Sequence, residues 1–247
     1  MTEFVTTALE DGVLVVKLAR ADKKNALTQA MYSALTDALS QAESDLAVKA
    51  VLLQGNDQVF CAGNDLEDFL SLKDLGQDSP ILRFLTTLVR FKKPLLAAVA
   101  GPAVGIGTTV LLHCDLVVAQ QGARFQLPFV ALGLCAEAGS SVLLAQRVGQ
   151  AKANEWLLTG KAYSSEEALA QGLINQVVEK DVCATGLAMA KQLAQLPSDA
   201  LVTTKALIRA PFQAEAEKAI FDEAREFVRL LQGDECKGAI RAFFSRR

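Results

Sequence analysis

Three short apolar runs constrain this chain more than any other feature: "AVLLQG" at 50–55, "PLLAAVAG" at 94–101 and "CDLVVA" at 114–119. Each is strand-length, and stretches of helical periodicity separate them. Alternating strands and helices imply an α/β fold with mostly parallel pairing. Before them, "FVTTAL" and "VLVVKLA" read as a hairpin turned at Asp11-Gly12. Leu27, Met31, Ala34, Leu35, Ala38 and Leu39 then repeat at helical spacing. Further on, Ser164 with Glu167 forms a capping box, Gly172 stops that helix, and "LINQVV" follows as a strand. From about Val182 the chain reads as helical. Ala216, Ile220, Phe221, Ala224, Phe227, Val228 and Leu231 share one face there, for packing on the core or on another subunit.

The chain's 247 residues, 51% hydrophobic and 21% charged, fill one large domain or a core with an appendage. A net charge of −3 offers no basic stripe for nucleic acid. The only long uncharged segment, 95–112, is broken by Gly101, Pro102, Gly105 and Gly107. It reads as strand, turn and buried helix rather than a membrane span. The opening "MTEFVTTALEDG" lacks the basic and apolar regions of a signal peptide. Cysteines at 61, 114, 135, 183 and 236 form no C-x-x-C, which fits reduced thiols and a cytoplasmic setting. His113 is the sole histidine, so no His-rich metal site is expected.

Three stretches can carry chemistry. "VFCAGNDLEDF" at 59–69 is either a turn with Asp65 as helix cap or, through the backbone beside Gly63, a place for negative charge. "AGPAVGIGTTV" at 100–110 follows a strand but lacks the third glycine of a dinucleotide fingerprint and the G-K-[ST] of a P-loop. "LGLCAEAGSS" at 132–141 carries one acid, Glu137, which reads either as a charge in the first turn of a helix or as a catalytic base.

In their order and spacing, "FCAGNDL", "AVAGPAVGIGTTVLLHCDLVVA", "ARFQLPFVALGLCAEAGSSVLLAQRVG" and "ANEWLLTGKAYSSEEALAQGLINQVV" resemble the crotonase (enoyl-CoA hydratase/isomerase) superfamily from about residue 5 to residue 180. The resemblance implies a crotonase (ClpP-like) fold: repeated ββα units over 1–190 and a C-terminal helical oligomerisation region over 191–247, building homotrimers or hexamers. It implies acyl-CoA substrates, with coenzyme A entering only as part of the substrate and no separate cofactor or metal. Backbone N–H groups of Ala62 and Ile106 match the family's oxyanion-hole donors. Lys23, Lys24, Ala26 and the segment Ala62, Gly63, Asn64, Asp65, Leu66, with Gly105, match the substrate-binding positions. Lys23 and Lys24 suit a phosphate as well as a solvated loop, and Phe129, Leu132 and Leu134 suit an acyl pocket as well as the core.

The two glutamates of the family's hydratases fall at Thr109 and Phe129 here. The acid stands instead at Glu137, where the resemblance places the base of the monofunctional Δ3,Δ2-enoyl-CoA isomerases. That implies conversion of 3-enoyl-CoA to 2-trans-enoyl-CoA. Other CoA-ester reactions of the family, and a non-catalytic scaffold, remain the alternatives.

Overall fold

The computed structural model describes residues 3–70 and 76–245. The strands are β1 (Val5–Glu10), β2 (Val13–Leu18), β3 (Ala50–Gln54), β4 (Leu95–Val99), β5 (Pro102–Val104), β6 (Leu116–Gln120), β7 (Arg124–Gln126), β8 (Tyr163–Ser164) and β9 (Gln176–Val178). Six form one sheet, ordered β1-β2-β3-β4-β6-β9, parallel except for the β1–β2 hairpin. The small sheet β5-β7-β8 stands beside it. Asp11 and Gly12 both take positive φ, 48° and 83°, as the tight hairpin turn requires.

The helices are α1 (Gln29–Ser44), α2 (Leu66–Leu70), α3 (Pro80–Arg90), α4 (Ile106–Thr109), α5 (Ser140–Val148), α6 (Gln150–Thr159), α7 (Ser165–Ala170), α8 (Val182–Ala194), α9 (Ser198–Arg209), α10 (Gln213–Leu231) and α11 (Asp234–Ser245). The apolar runs become β3, β4 and β6, each covered on both faces. Val51, Leu53, Ala97 and Val99 enter the main core with the buried face of α1. Ala50, Leu52, Leu96 and Ala98 face a second core against α8. Side chains alternate along a strand, so a run without polar interruptions must bury both sides. The approach of α8 is close: a Cβ on Gly186 would lie 2.9 Å from the Ala98 side chain.

α8 thus belongs to the sheet's cover, and the boundary expected between residues 190 and 191 falls inside it. Residues 246 and 247 of the expected C-terminal region lie outside the described residues. The segment 95–112 resolves into β4, β5, α4 and one 3-10 turn; no helix among the described residues is long and apolar enough to cross a membrane.

The parallel strands direct their C-terminal ends to one side. The chains leaving β3 and β4 meet there through a bridge between Cys61 and Ala103. Such crevices beyond the carboxyl ends of adjacent parallel strands are where α/β sheets commonly bind ligands.

Candidate active site

One wall of this crevice joins two distant segments. Asn25 is wholly buried; its side-chain amide donates to the carbonyls of Val59 (3.2 Å) and Phe60 (3.0 Å) and accepts from Arg20 N–H (2.8 Å). Leu27 N–H donates to Gly63 O, and Asp65 N–H to Leu27 O. Arg20 and Asp65 form a 2.7 Å ion pair. Burial raises the Asp65 carboxyl, but Arg20 and the N–H groups of Asp68 and Glu67 outweigh it and hold it below its ordinary value. The expected substrate-binding segments, Lys23 to Ala26 and Ala62 to Leu66, therefore lie side by side. Lys23 and Lys24 are exposed at the rim.

Opposite stands the loop into α4. Gly105 takes φ 54°, ψ −120°, a conformation essentially confined to glycine. Gly107 is fixed by space: its Cβ would come within 2.4 Å of the Cys61 carbonyl. These two glycines let the walls touch, with Gly63 Cα 4.0 Å from where a Gly105 Cβ would sit.

The donors differ from expectation. Ala62 N–H is taken up by the Lys24 carbonyl at 3.0 Å and cannot also serve an oxyanion. That bond ties down the turn in which Lys24 and Asn25 both take positive φ. The N–H groups of Gly63, Asn64 and Ile106 donate to no acceptor among the described residues. Tyr32, buried on α1, donates to the Asn64 side-chain oxygen at 2.5 Å.

Glu137 is 7% exposed. It is not in the first turn of a helix: α5 begins at Ser140, after a turn in which Ala138 (φ 60°) and Gly139 (φ 74°) are both left-handed. Thr109 Oγ1 donates to Glu137 Oε1 at 2.5 Å. Burial pushes the carboxyl up; the Thr109 bond pulls it down and the charge of Glu223 pushes it up again, leaving it at about 8. Burial first, and then the charge of Glu137, pushes up both Tyr32 and Cys61. His113 is no base for a nucleophile. Its buried Nε2 donates to the Ala138 carbonyl at 2.8 Å, and burial pushes its pKa down to about 4.

Phe129 is buried, its ring edge 3.8 Å from a Gly105 Cβ position, so it lies against the second wall. Leu134 belongs to the main core, and the half-buried Leu132 packs against it.

A family model described as enoyl-CoA hydratase/isomerase matches residues 8–247. The chain belongs to the crotonase (enoyl-CoA hydratase/isomerase) family. Human enoyl-CoA delta isomerase 2 is 37% identical over 261 residues, covering 99% of this chain and 64% of that protein. The chain thus spans less than two-thirds of that relative's length. The 1,2-epoxyphenylacetyl-CoA isomerase of Escherichia coli (strain K12) is 33% identical over 258 residues, covering 100% of this chain and 97% of that protein. The solved structure of Pseudomonas aeruginosa OdaA superposes with a TM-score of 0.95 at 45% identity, covering 98% of this chain and 99% of that one.

Within this crotonase site, three residues escape a reading by motif. Asn25 and Tyr32 look like loop and core residues in sequence. Glu223 looks like one of several acids on a charged helix, yet it is 8% exposed and bonded to the start of α5. Its position on the apolar face of α10, three residues after Ile220 and four before Phe227, was the available signal.

Proposed function

We propose that this enzyme of the enoyl-CoA hydratase/isomerase family converts 3-enoyl-CoA to 2-trans-enoyl-CoA, with Glu137 as its single proton carrier. The observation that carries the reading is that no partner acid stands at 109 or 129 beside that carboxylate. It is buried, one oxygen is held by Thr109, and Thr109 and Phe129 occupy the positions where the hydratase pattern has acids. Hydration needs a water held and activated between groups that trade protons with it. Isomerisation needs one base that reaches two carbons.

In this reading Glu137 Oε2, which accepts no hydrogen bond among the described residues, takes a proton from C2. The C2 electron pair delocalises through the thioester carbonyl, giving a dienolate. The same carboxyl returns the proton to C4 as the double bond moves to C2–C3. Burial suits this cycle, since a base near neutral pKa both accepts and releases a proton.

The charge on the thioester oxygen falls to backbone donors. Ile106 N–H is one. Asn64 N–H is the other, replacing Ala62. Asp65 N–H faces Leu27, so alternation along the chain turns the Asn64 N–H the opposite way, toward the Gly105 loop. Each such donor is worth about 10²–10³ in rate. The adjoining segments 23–26 and 62–66 would seat the CoA moiety, with Lys23 or Lys24 meeting a phosphate. The likeness to human enoyl-CoA delta isomerase 2 supports the isomerase reading.

The test is Glu137→Gln with 3-enoyl-CoA. Turnover should fall by about 10²- to 10⁴-fold, the scale typical of losing a general base. Retained turnover would refute the role. Product analysis with 2-enoyl-CoA is the companion measurement: efficient formation of 3-hydroxyacyl-CoA would make the enzyme a hydratase.

A further inference from the structure

Glu223 reaches the site from the C-terminal helical region, on α10. One of its carboxylate oxygens accepts from Gly139 N–H at 2.6 Å. The other accepts from Ser141 N–H at 2.9 Å and from Ser141 Oγ at 2.5 Å. Burial pushes the Glu223 carboxyl up, and although the Ser141 hydroxyl and the N–H groups of Ser141 and Gly139 pull it down, it stays above its ordinary value; these donors are what favours its charged form. α10 also closes on the turn sterically, for a Cβ on Gly139 would lie 3.2 Å from the Ala216 carbonyl and 3.5 Å from Ile220.

The turn it grips is the one that carries Glu137. Ser140 N–H donates to the Glu137 carbonyl, His113 holds the Ala138 carbonyl, and Glu223 holds the Gly139 N–H. Three consecutive residues are thus pinned from three directions, two of them at positive φ. A neutral Ser or Asn would cap a helix at lower desolvation cost than a buried carboxylate. The negative charge itself therefore calls for a role.

We propose that Glu223 is a positioning residue for Glu137: its carboxylate clamps the Ala138–Gly139 turn that aims the base, and it places a second negative charge close to that base. The proposal rests on Glu137 being the base. Besides burial, the Thr109 hydroxyl on α4 and Glu223 on α10 act on Glu137, whose own charge in turn raises Tyr32 on α1 and the Cys61 thiol on the first wall. His113 faces the same turn but is held neutral. Among these, Glu223 supplies the like charge that favours the protonated form of Glu137. It gives the C-terminal helices a direct hold on the chemistry of the core.

The test is the pH dependence of kcat/KM on 3-enoyl-CoA for the wild type and variants at 223, beside Glu137→Gln. Glu223→Gln keeps the length and removes the charge. The rising midpoint should move to lower pH, by roughly half a unit or more for the loss of a nearby like charge. Glu223→Asp keeps the charge but shortens the reach. It should lower kcat severalfold with the midpoint near the wild-type value. Asp222→Asn removes a neighbouring surface charge, paired with Lys218 and Arg225, and should leave the profile unchanged. A folded Glu223→Gln enzyme with an unmoved midpoint would reduce Glu223 to a helix cap. If that variant does not fold, Glu223→Asp decides alone: wild-type kcat with both shorter bonds lost would overturn the positioning role. Full turnover in Glu137→Gln would instead remove the base itself, a separate and recognisable failure.

Discussion

Thr109→Val probes the site most directly. The substitution keeps the shape and removes the hydroxyl that donates to Glu137 Oε1 at 2.5 Å. That bond favours the ionised carboxylate, so its loss raises the pKa from about 8. A hydrogen bond to a charged group is worth about 1.5–3 kcal/mol, which at 1.36 kcal/mol per unit is a shift of about 1–2 units. At pH 7 about one wild-type molecule in ten carries an ionised base, against about one in a hundred to one in a thousand for the variant. Activity at pH 7 should therefore fall about 10- to 100-fold and recover as the pH passes the new midpoint. The assay is kcat/KM against pH, followed by absorbance of the conjugated enoyl thioester. A loss of the same size at every pH, or a midpoint moved to lower pH, would refute the reasoning.

Glu137 binds its proton more tightly folded than unfolded, so folding takes up a proton between the ordinary 4.5 and about 8. Wild-type stability should decline as pH rises through that window, by up to roughly 5 kcal/mol, and urea titrations of Glu137→Gln should show that slope removed. Replacing the backbone amide by an ester at Asn64 or at Ile106 should each cost about 10²-fold in kcat. The same change at Ala62, whose N–H is bonded to Lys24, should lower Tm more than kcat. Gly107→Ala should destabilise the fold by about 2 kcal/mol or more, read as a lower Tm, because its methyl would collide with the Cys61 carbonyl. Leu207 and Ile208 on α9 are 70% and 65% exposed, and Phe212 just beyond is 38% exposed. Light scattering should find a trimer or a multiple of it, and charged residues at 207 and 208 should shift it toward monomer.

The strands, the α1 face and the cap at Ser164 were legible because they rest on local rules. Period, turn chemistry and capping act within a few residues. The motif order carried the family for the same reason, since glycines at 105 and 107 mark backbone conformations and close approaches that few other residues permit. Residue type along the chain also showed that the hydratase acids are replaced by Thr109 and Phe129.

What sequence left open depended on partners far along the chain. Ala62 and Asn64 differ as donors only because Lys24 O, 38 positions away, takes one N–H and not the other. Glu137 read either as a helix-start charge or as a base until two left-handed residues placed α5 three positions later. The acid that does serve that helix is Glu223, 82 positions beyond Ser141. Local pattern fixes which groups a segment offers. Hydrogen bonding is satisfied globally, so only the packed tertiary structure decides which offered groups are spent and which remain free for chemistry.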